Sequence, residues 1–297
     1  MSKNLSQFLN DGGPILLDGA MGTQLAEMDL PMGGQNNLSH PESVLEIHQA
    51  YSDCGCDILT TNTLTMNRIY IEAHNLGIDV QEVNQVGAHL ARTVAGETLF
   101  VLGDMSSTGK ILQPYGELAE SDAYNAYIEQ AASLADGDVD GFIIETVYDL
   151  NEALCAIRAC NEIADLPILC TISFTTSERG GRTIMGNSAR DCAEAITDAG
   201  AKAVGVNCGD LDPFQTAEVI ALLREWTTLP LIAQPNAGKP RLIGDQTVFD
   251  MDPSVFAEGI EACQQAGASL LGGCCGTTPE HISAVAKILG KSVDSRQ

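Results

Sequence analysis

Two cysteines stand side by side in the run Leu271-Gly272-Gly273-Cys274-Cys275-Gly276-Thr277-Thr278-Pro279-Glu280-His281, and a third, Cys208, lies in Val206-Asn207-Cys208-Gly209-Asp210. Adjacent thiols bond poorly to each other, because a normal disulfide holds its Cα atoms further apart than chain neighbours sit. Both can instead reach one soft cation. A third thiolate from elsewhere in the chain then leaves zinc with an open fourth position, which separates a catalytic zinc site from a closed structural one. The competing reading is structural: small buried residues in a glycine-rich turn. Two carboxylates are the other candidates for chemistry. Asp18 precedes Gly19, a common turn pair, whereas Glu145 ends the run Phe142-Ile143-Ile144 and would otherwise be a charge beside a core. Carboxylates beside a thiolate-rich zinc suit a substrate's ammonium group, and the backbone amides around Gly19-Ala20-Met21-Gly22 could hold its carboxylate.

The periodic pattern of the chain decides whether these residues can meet. Short apolar runs rich in Val, Ile and Leu recur at 14–18, 57–62, 98–104, 141–145, 168–174, 203–208, 231–235 and 269–274, and each reads as a strand. Apolar residues at helical spacing cover roughly 43–54, 79–95, 121–135, 149–163, 188–199, 213–227, 253–266 and 278–289. Asp252 before Pro253 and Thr278 before Pro279 mark helix starts, and Gly200 and Gly267 mark stops. Eight β-then-α units in 297 residues predict an α/β chain folded as a (β/α)8 TIM barrel, a single domain over 1–297. An open doubly wound sheet is the alternative, but no G-x-G-x-x-G follows the first strand. Segments 25–42 and 63–78 then become loops over the barrel's mouth.

In such a barrel the chemistry sits at the C-terminal ends of the strands. Those ends hold Asp18-Gly19, Thr60-Thr61-Asn62-Thr63, Gly103-Asp104, Glu145-Thr146, Phe174, Asn207-Cys208, Pro235-Asn236 and Cys274-Cys275. Cys208 ends the sixth strand and the cysteine pair ends the eighth, so all three thiols fall on one rim. That placement favours zinc, whose ligand preferences they match. The other seven cysteines (Cys54, Cys56, Cys155, Cys160, Cys170, Cys192 and Cys263) read as small buried hydrophobes. The histidines fall on helices or loops, which argues against a histidine-rich hydrolytic zinc.

Forty acidic against 15 basic residues give a net charge of −25, a field that repels nucleic acid and anionic membrane. The N-terminus lacks the apolar core of a signal peptide, and no run approaches membrane-spanning length. Ten cysteines without an export signal point to a reducing cytoplasm.

Taken in order, Asp18-Gly19-Ala20-Met21-Gly22-Thr23, Thr61-Asn62-Thr63, Glu145-Thr146, Asn207-Cys208, Pro235-Asn236-Ala237-Gly238-Lys239-Pro240 and Gly272-Gly273-Cys274-Cys275-Gly276-Thr277-Thr278-Pro279 resemble the homocysteine S-methyltransferase family over nearly the whole chain. The resemblance implies a zinc ion held by Cys208, Cys274 and Cys275, with Asn236 close to the metal as a weak fourth ligand that substrate displaces. It also implies that Asp18 and Glu145 hold the amino acid part of homocysteine, in a pocket that includes Gly19, Ala20 and Asn62. The implied reaction moves a methyl group to the homocysteine thiol and yields methionine. A free thiol is mostly protonated at neutral pH and attacks a methyl group poorly. Zinc removes that proton, so positioning and nucleophile activation would do most of the catalysis.

The donor is the finer question. Glu145-Thr146-Val147-Tyr148-Asp149 looks like the homocysteine-binding module of cobalamin-dependent methionine synthase, which points to a methylcorrinoid carried on a separate protein. The Ser106-Ser107-Thr108-Gly109 segment departs from the Gly-Pro-Thr-Gly usual there. The alternative donors are betaine, dimethylsulfoniopropionate or S-methylmethionine, but an onium methyl favours an aromatic cage, and Thr146 and Leu64-Thr65-Met66 stand where the betaine users carry aromatics. Two rivals remain: a non-catalytic zinc-binding module, and a barrel lyase or aldolase. The latter lacks its strand-end lysine, since Lys110 and Lys239 lie in loops and Lys202 precedes the sixth strand.

Overall fold

Strands buried on both faces need near-continuous apolar runs rather than alternation, and the eight runs read from the sequence all become parallel strands. In the computed structural model, which describes residues 4–244 and 246–291, these are β1 (Ile15–Leu16), β2 (Ile58–Thr60), β3 (Phe100–Met105), β4 (Gly141–Val147), β5 (Ile168–Ile172), β6 (Ala203–Asn207), β7 (Leu231–Gln234) and, after a two-stranded hairpin of β8 (Arg241–Ile243) and β9 (Gln246–Val248), β10 (Ala268–Leu271). Their order is β1-β10-β7-β6-β5-β4-β3-β2, and a parallel bridge from Leu17 to Ile58 joins the two ends. The sheet therefore closes into the expected (β/α)8 barrel. The outermost residues of the expected domain, 1–3 and 292–297, lie outside the described residues.

Among the described residues, twelve α-helices surround the sheet: α1 (Leu5–Asn10), α2 (Gly22–Glu27), α3 (Asn36–Ser39), α4 (Pro41–Asp53), α5 (Arg68–Ala73), α6 (Val80–Ala95), α7 (Glu120–Asp136), α8 (Leu150–Ile163), α9 (Ala189–Asp198), α10 (Pro213–Arg224), α11 (Pro253–Gln265) and α12 (Pro279–Ile288). Their starts are chemically specified. Asp252 accepts from Ser254 N at 2.8 Å, and Ser188 with Asp191, Asp212 with Gln215, and Thr278 with His281 form capping boxes. None of the described helices is long and apolar enough to cross a membrane.

The apolar interior divides in two. One cluster lies between strands and helices, with Tyr51, Tyr127, Phe142, Phe174 and Phe256 among its largest members. The other fills the lower barrel with Ile15, Leu17, Ile58, Phe100, Leu102, Ile143, Leu169, Ala203, Ile232 and Leu270. Leu5 and Leu9 of α1 join this second cluster, so α1 plugs the N-terminal end of the barrel. α1 and the hairpin give no signal in the periodic pattern, and α3 and α5 form within the segments 25–42 and 63–78 expected as loops.

Candidate active site

Side chains alternate along a strand, so the residues two positions beyond the apolar barrel layer face the same interior, nearer the mouth. From Ile58, Leu102, Ile143, Leu169 and Ile232 this step gives Thr60, Asp104, Glu145, Thr171 and Gln234; two such steps from Ala203 give Asn207. The barrel is thus apolar below and polar above, and the polar layer is the floor of the site.

β7 lies between β6 and β10 in the ring, which brings Cys208, Asn236 and Cys274-Cys275 together at one rim. Backbone bonds fix the three loops: Cys208 N donates to Gln234 O at 3.2 Å, Cys274 N to Pro235 O at 2.9 Å, and Ala237 N to Cys275 O at 3.0 Å. Cys208 itself takes a left-handed φ of 51°, unusual for a residue with a Cβ. The three Sγ atoms lie within 4.8 Å of one another, with Cys208 and Cys275 4.0 Å apart. Four-coordinate zinc with bonds of about 2.3 Å sets neighbouring sulfurs roughly 3.8 Å apart, close to that spacing. The Asn236 Nδ2 donates to Gly209 O at 3.0 Å, while its buried Oδ1 has no partner. Three sulfurs and one orphaned oxygen are a donor set that fits zinc. Hydrogen bonds from the Cys274 and Cys275 thiols hold Cys208 as a thiolate, far below the usual thiol range, and the same sharing pushes Cys274 and Cys275 up. The other seven cysteines are buried.

Asn207 joins this rim to the end of β4. Its Oδ1 accepts from Thr146 N and Thr171 Oγ1, both at 2.8 Å, and its Nδ2 donates to Thr146 Oγ1 at 2.7 Å and faces Cys274 Sγ at 3.8 Å. Thr146 sits at φ 58°, an outlier for a β-branched residue, beside a register shift in the β4–β5 pairing. The neighbouring Glu145 is buried. Burial, then the charges of Asp18 and Cys208, push its carboxyl up to about 8, and the Gln234 side chain offsets part of this.

Asp18 is also buried, and burial raises it to about 7 against the hydrogen bonds it accepts from Thr60. Thr60 N donates to Oδ2 at 2.7 Å and Thr60 Oγ1 to Oδ1 at 2.9 Å, so Asp18 clasps β1 to β2 at the seam of the barrel. Gly19 is packed tightly: a Cβ there would stand 2.8 Å from Thr277 Oγ1 and 2.9 Å from the Tyr51 ring. The Ala20 amide donates to Thr277 Oγ1 at 3.0 Å, and Thr277 Oγ1 donates to Cys274 O at 2.7 Å, which couples the Asp18–Gly22 turn to the cysteine turn. Asn62 turns to the loop above, donating to Asn37 Oδ1 at 3.0 Å and Gly33 O at 3.3 Å. Thr60, Asn207 and Gln234 were not singled out as site residues in the sequence. Their positions in the polar layer could have been found by counting two residues on from each buried strand centre.

The profile of the homocysteine S-methyltransferase family matches residues 15–289. The methionine synthase of Mycobacterium leprae is 30% identical over 298 residues, covering 93% of this chain and 24% of that protein, so the chain spans about a quarter of the relative's length. Among solved structures, the homocysteine methyltransferase MmuM of Escherichia coli aligns in its metallated form with a TM-score of 0.78 at 22% identity, covering 96% of this chain and 99% of the other. Its oxidized form aligns with a TM-score of 0.80 at 21% identity over the same shares. The carboxyl transferase domain of Rhizobium etli pyruvate carboxylase aligns with a TM-score of 0.58 at 15% identity, over 98% of this chain and 48% of the other, a likeness of fold alone. The barrel fold thus has counterparts among solved homocysteine methyltransferases. The chain belongs to the homocysteine S-methyltransferase family.

Proposed function

We propose that this protein catalyses zinc-dependent methyl transfer to the thiol of homocysteine, giving methionine. The observation that carries the reading is the convergence of three Sγ atoms and the unpartnered Asn236 Oδ1 on one rim, beside the buried carboxylates of Asp18 and Glu145. Cys208, Cys274 and Cys275 would hold the metal, which when bound supplies the Lewis acidity that keeps a substrate thiol deprotonated and nucleophilic at neutral pH. Glu145 and Asp18 bind and orient the ammonium end of the amino acid, Asp18 through lone pairs left over from Thr60. The Asp18–Gly22 turn faces its carboxylate. Asn207 keeps Thr146, and with it Glu145, in register with the thiol rim. Catalysis then consists of holding sulfur and methyl carbon in line, and no histidine is needed.

For the donor we infer a methylcorrinoid delivered by a carrier protein. Among the described residues, the most exposed large apolar side chains are Tyr115, Leu242, Ile184 and Met32, at 78, 75, 70 and 65%. All four stand on segments that follow barrel strands at the mouth, a surface suited to a macromolecular carrier. The alternative, a small onium donor, is favoured by one feature: Phe249 lies against Gly276, next to Cys275, and supplies an aromatic face there. A donor screen with zinc-loaded protein and homocysteine separates the two. Methionine from methylcobalamin, with little or none from betaine, dimethylsulfoniopropionate or S-methylmethionine, is expected. Turnover with an onium donor alone would overturn the corrinoid assignment while leaving the acceptor unchanged.

A further inference from the structure

Asp104 is a buried carboxylate without a compensating partner. It ends the interior row Phe100, Leu102, Asp104 of β3 and is 5% exposed. Its Oδ1 has no hydrogen-bond partner. Thr60 engages both oxygens of Asp18, and Gln234 lies beside Glu145, but no comparable group engages Asp104. Among the described residues every ion pair lies elsewhere, and none includes Asp18, Asp104 or Glu145. Burial, with Glu145 and then Asp18 close enough to be felt as charges, drives the Asp104 carboxyl well above the usual carboxylate range. A second acceptor in the same layer is also orphaned: Oε1 of Gln234, a residue 3% exposed.

Buried polar groups are costly unless paired, so two orphaned acceptors beside a third buried carboxyl point to a ligand that brings donors and positive charge. A primary ammonium has three N–H bonds and carries that charge. A hydroxyl or a carboxylate would supply too few donors or the wrong sign. A quaternary ammonium would supply no donor at all.

We propose that Asp104 is a specificity-determining residue that, together with Glu145 and Gln234 Oε1, receives the primary ammonium group of the acceptor amino acid. The assignment rests on the reading of homocysteine as the acceptor. It makes the site selective for α-amino thiols over thiols of equal length that lack the amino group. Asp18, engaged by Thr60, then acts first as the clasp of the barrel seam and contributes to the same ammonium site.

The test compares Asp104→Asn with the wild type, both zinc-loaded, by calorimetric titration with L-homocysteine and with 4-mercaptobutyrate, the same thiol without the ammonium. Zinc content and thermal melting serve as folding controls. Asn is nearly isosteric and neutral, so the variant is expected to fold and to keep its metal. The wild type should bind homocysteine at least tenfold more tightly than 4-mercaptobutyrate. In the variant the homocysteine Kd should rise about tenfold to a hundredfold, the equivalent of losing a hydrogen bond to a charged group. The 4-mercaptobutyrate Kd should stay within about twofold. An unchanged homocysteine Kd, or equal losses for both thiols, overturns the role of Asp104 while homocysteine remains the acceptor. If the wild type binds neither thiol, the homocysteine reading itself falls, and this proposal with it.

Discussion

Cys208 shows how a single residue's conformation serves the proposed metal site. Its left-handed φ of 51° costs backbone strain that an ordinary surface turn would relieve by placing glycine there. The cysteine there brings its thiol to Cys274 and Cys275. Glu145 has a comparable logic. Its carboxyl sits where burial penalises charge, so it gains most when a cation arrives. Glu145→Gln should therefore weaken homocysteine binding on the order of tenfold to a hundredfold, the loss of a charge-assisted hydrogen bond of roughly 1.5–3 kcal/mol. Zinc content should stay near that of the wild type. Calorimetric titration alongside metal analysis checks this, and an unchanged Kd would reassign the carboxylate to structure. The clustering of the three cysteines was legible because their types and strand-end positions together are specific. Asp104 was not assigned, because a lone Asp at a strand end looks the same whether its carboxylate is bonded or orphaned.

At the level of elements, the two ends of the barrel are separable. α1 closes the bottom through Leu5 and Leu9, far from the thiol rim at the top. Leu5→Ala should cost about 2–5 kcal/mol of stability through lost burial and the cavity left behind. Urea denaturation should register that loss while zinc loading and homocysteine affinity remain those of the wild type. A parallel loss of metal would mean that the two ends are mechanically linked. The eight strands and the helices that follow them were readable because both faces of each strand are buried, which yields continuous apolar runs. α1, α3 and α5 span only 4–6 residues each, too few to show a helical period. The β8–β9 hairpin was missed because its strands are three residues long. The Asp18–Thr60 clasp joins residues 42 apart and follows from ring closure, which no local pattern encodes.

The whole molecule carries its titration in its interior as well as on its acidic surface. Asp18 and Glu145 titrate at about 7 and 8 when folded, against ordinary values of 3.8 and 4.5. Raised carboxyls bind more protons folded than unfolded, so their stabilisation is full below the ordinary values and disappears as pH climbs to 7–8. Buried His48, lowered to about 4 by desolvation, works in the opposite direction, but only below its ordinary 6.5. From pH 6.5 to 8 the lowered Cys208 thiol also opposes them, but Asp104, raised as well, offsets it, so the carboxyls together should dominate and the Tm of the metal-free, ligand-free protein should fall. Glu145→Gln should flatten that slope. Calorimetric melts across the window check the sign, and a Tm that rises with pH would contradict it.

The central claim is that Cys208, Cys274 and Cys275 hold a zinc ion with one position open to the substrate thiol. X-ray absorption at the zinc edge tests it most directly. The zinc-loaded protein should show three sulfur neighbours and a lighter one, changing to four sulfurs when homocysteine is added, and Cys208→Ala should lose most of its zinc while staying folded. A sulfur count that homocysteine leaves unchanged, or full zinc occupancy in Cys208→Ala, would contradict the account.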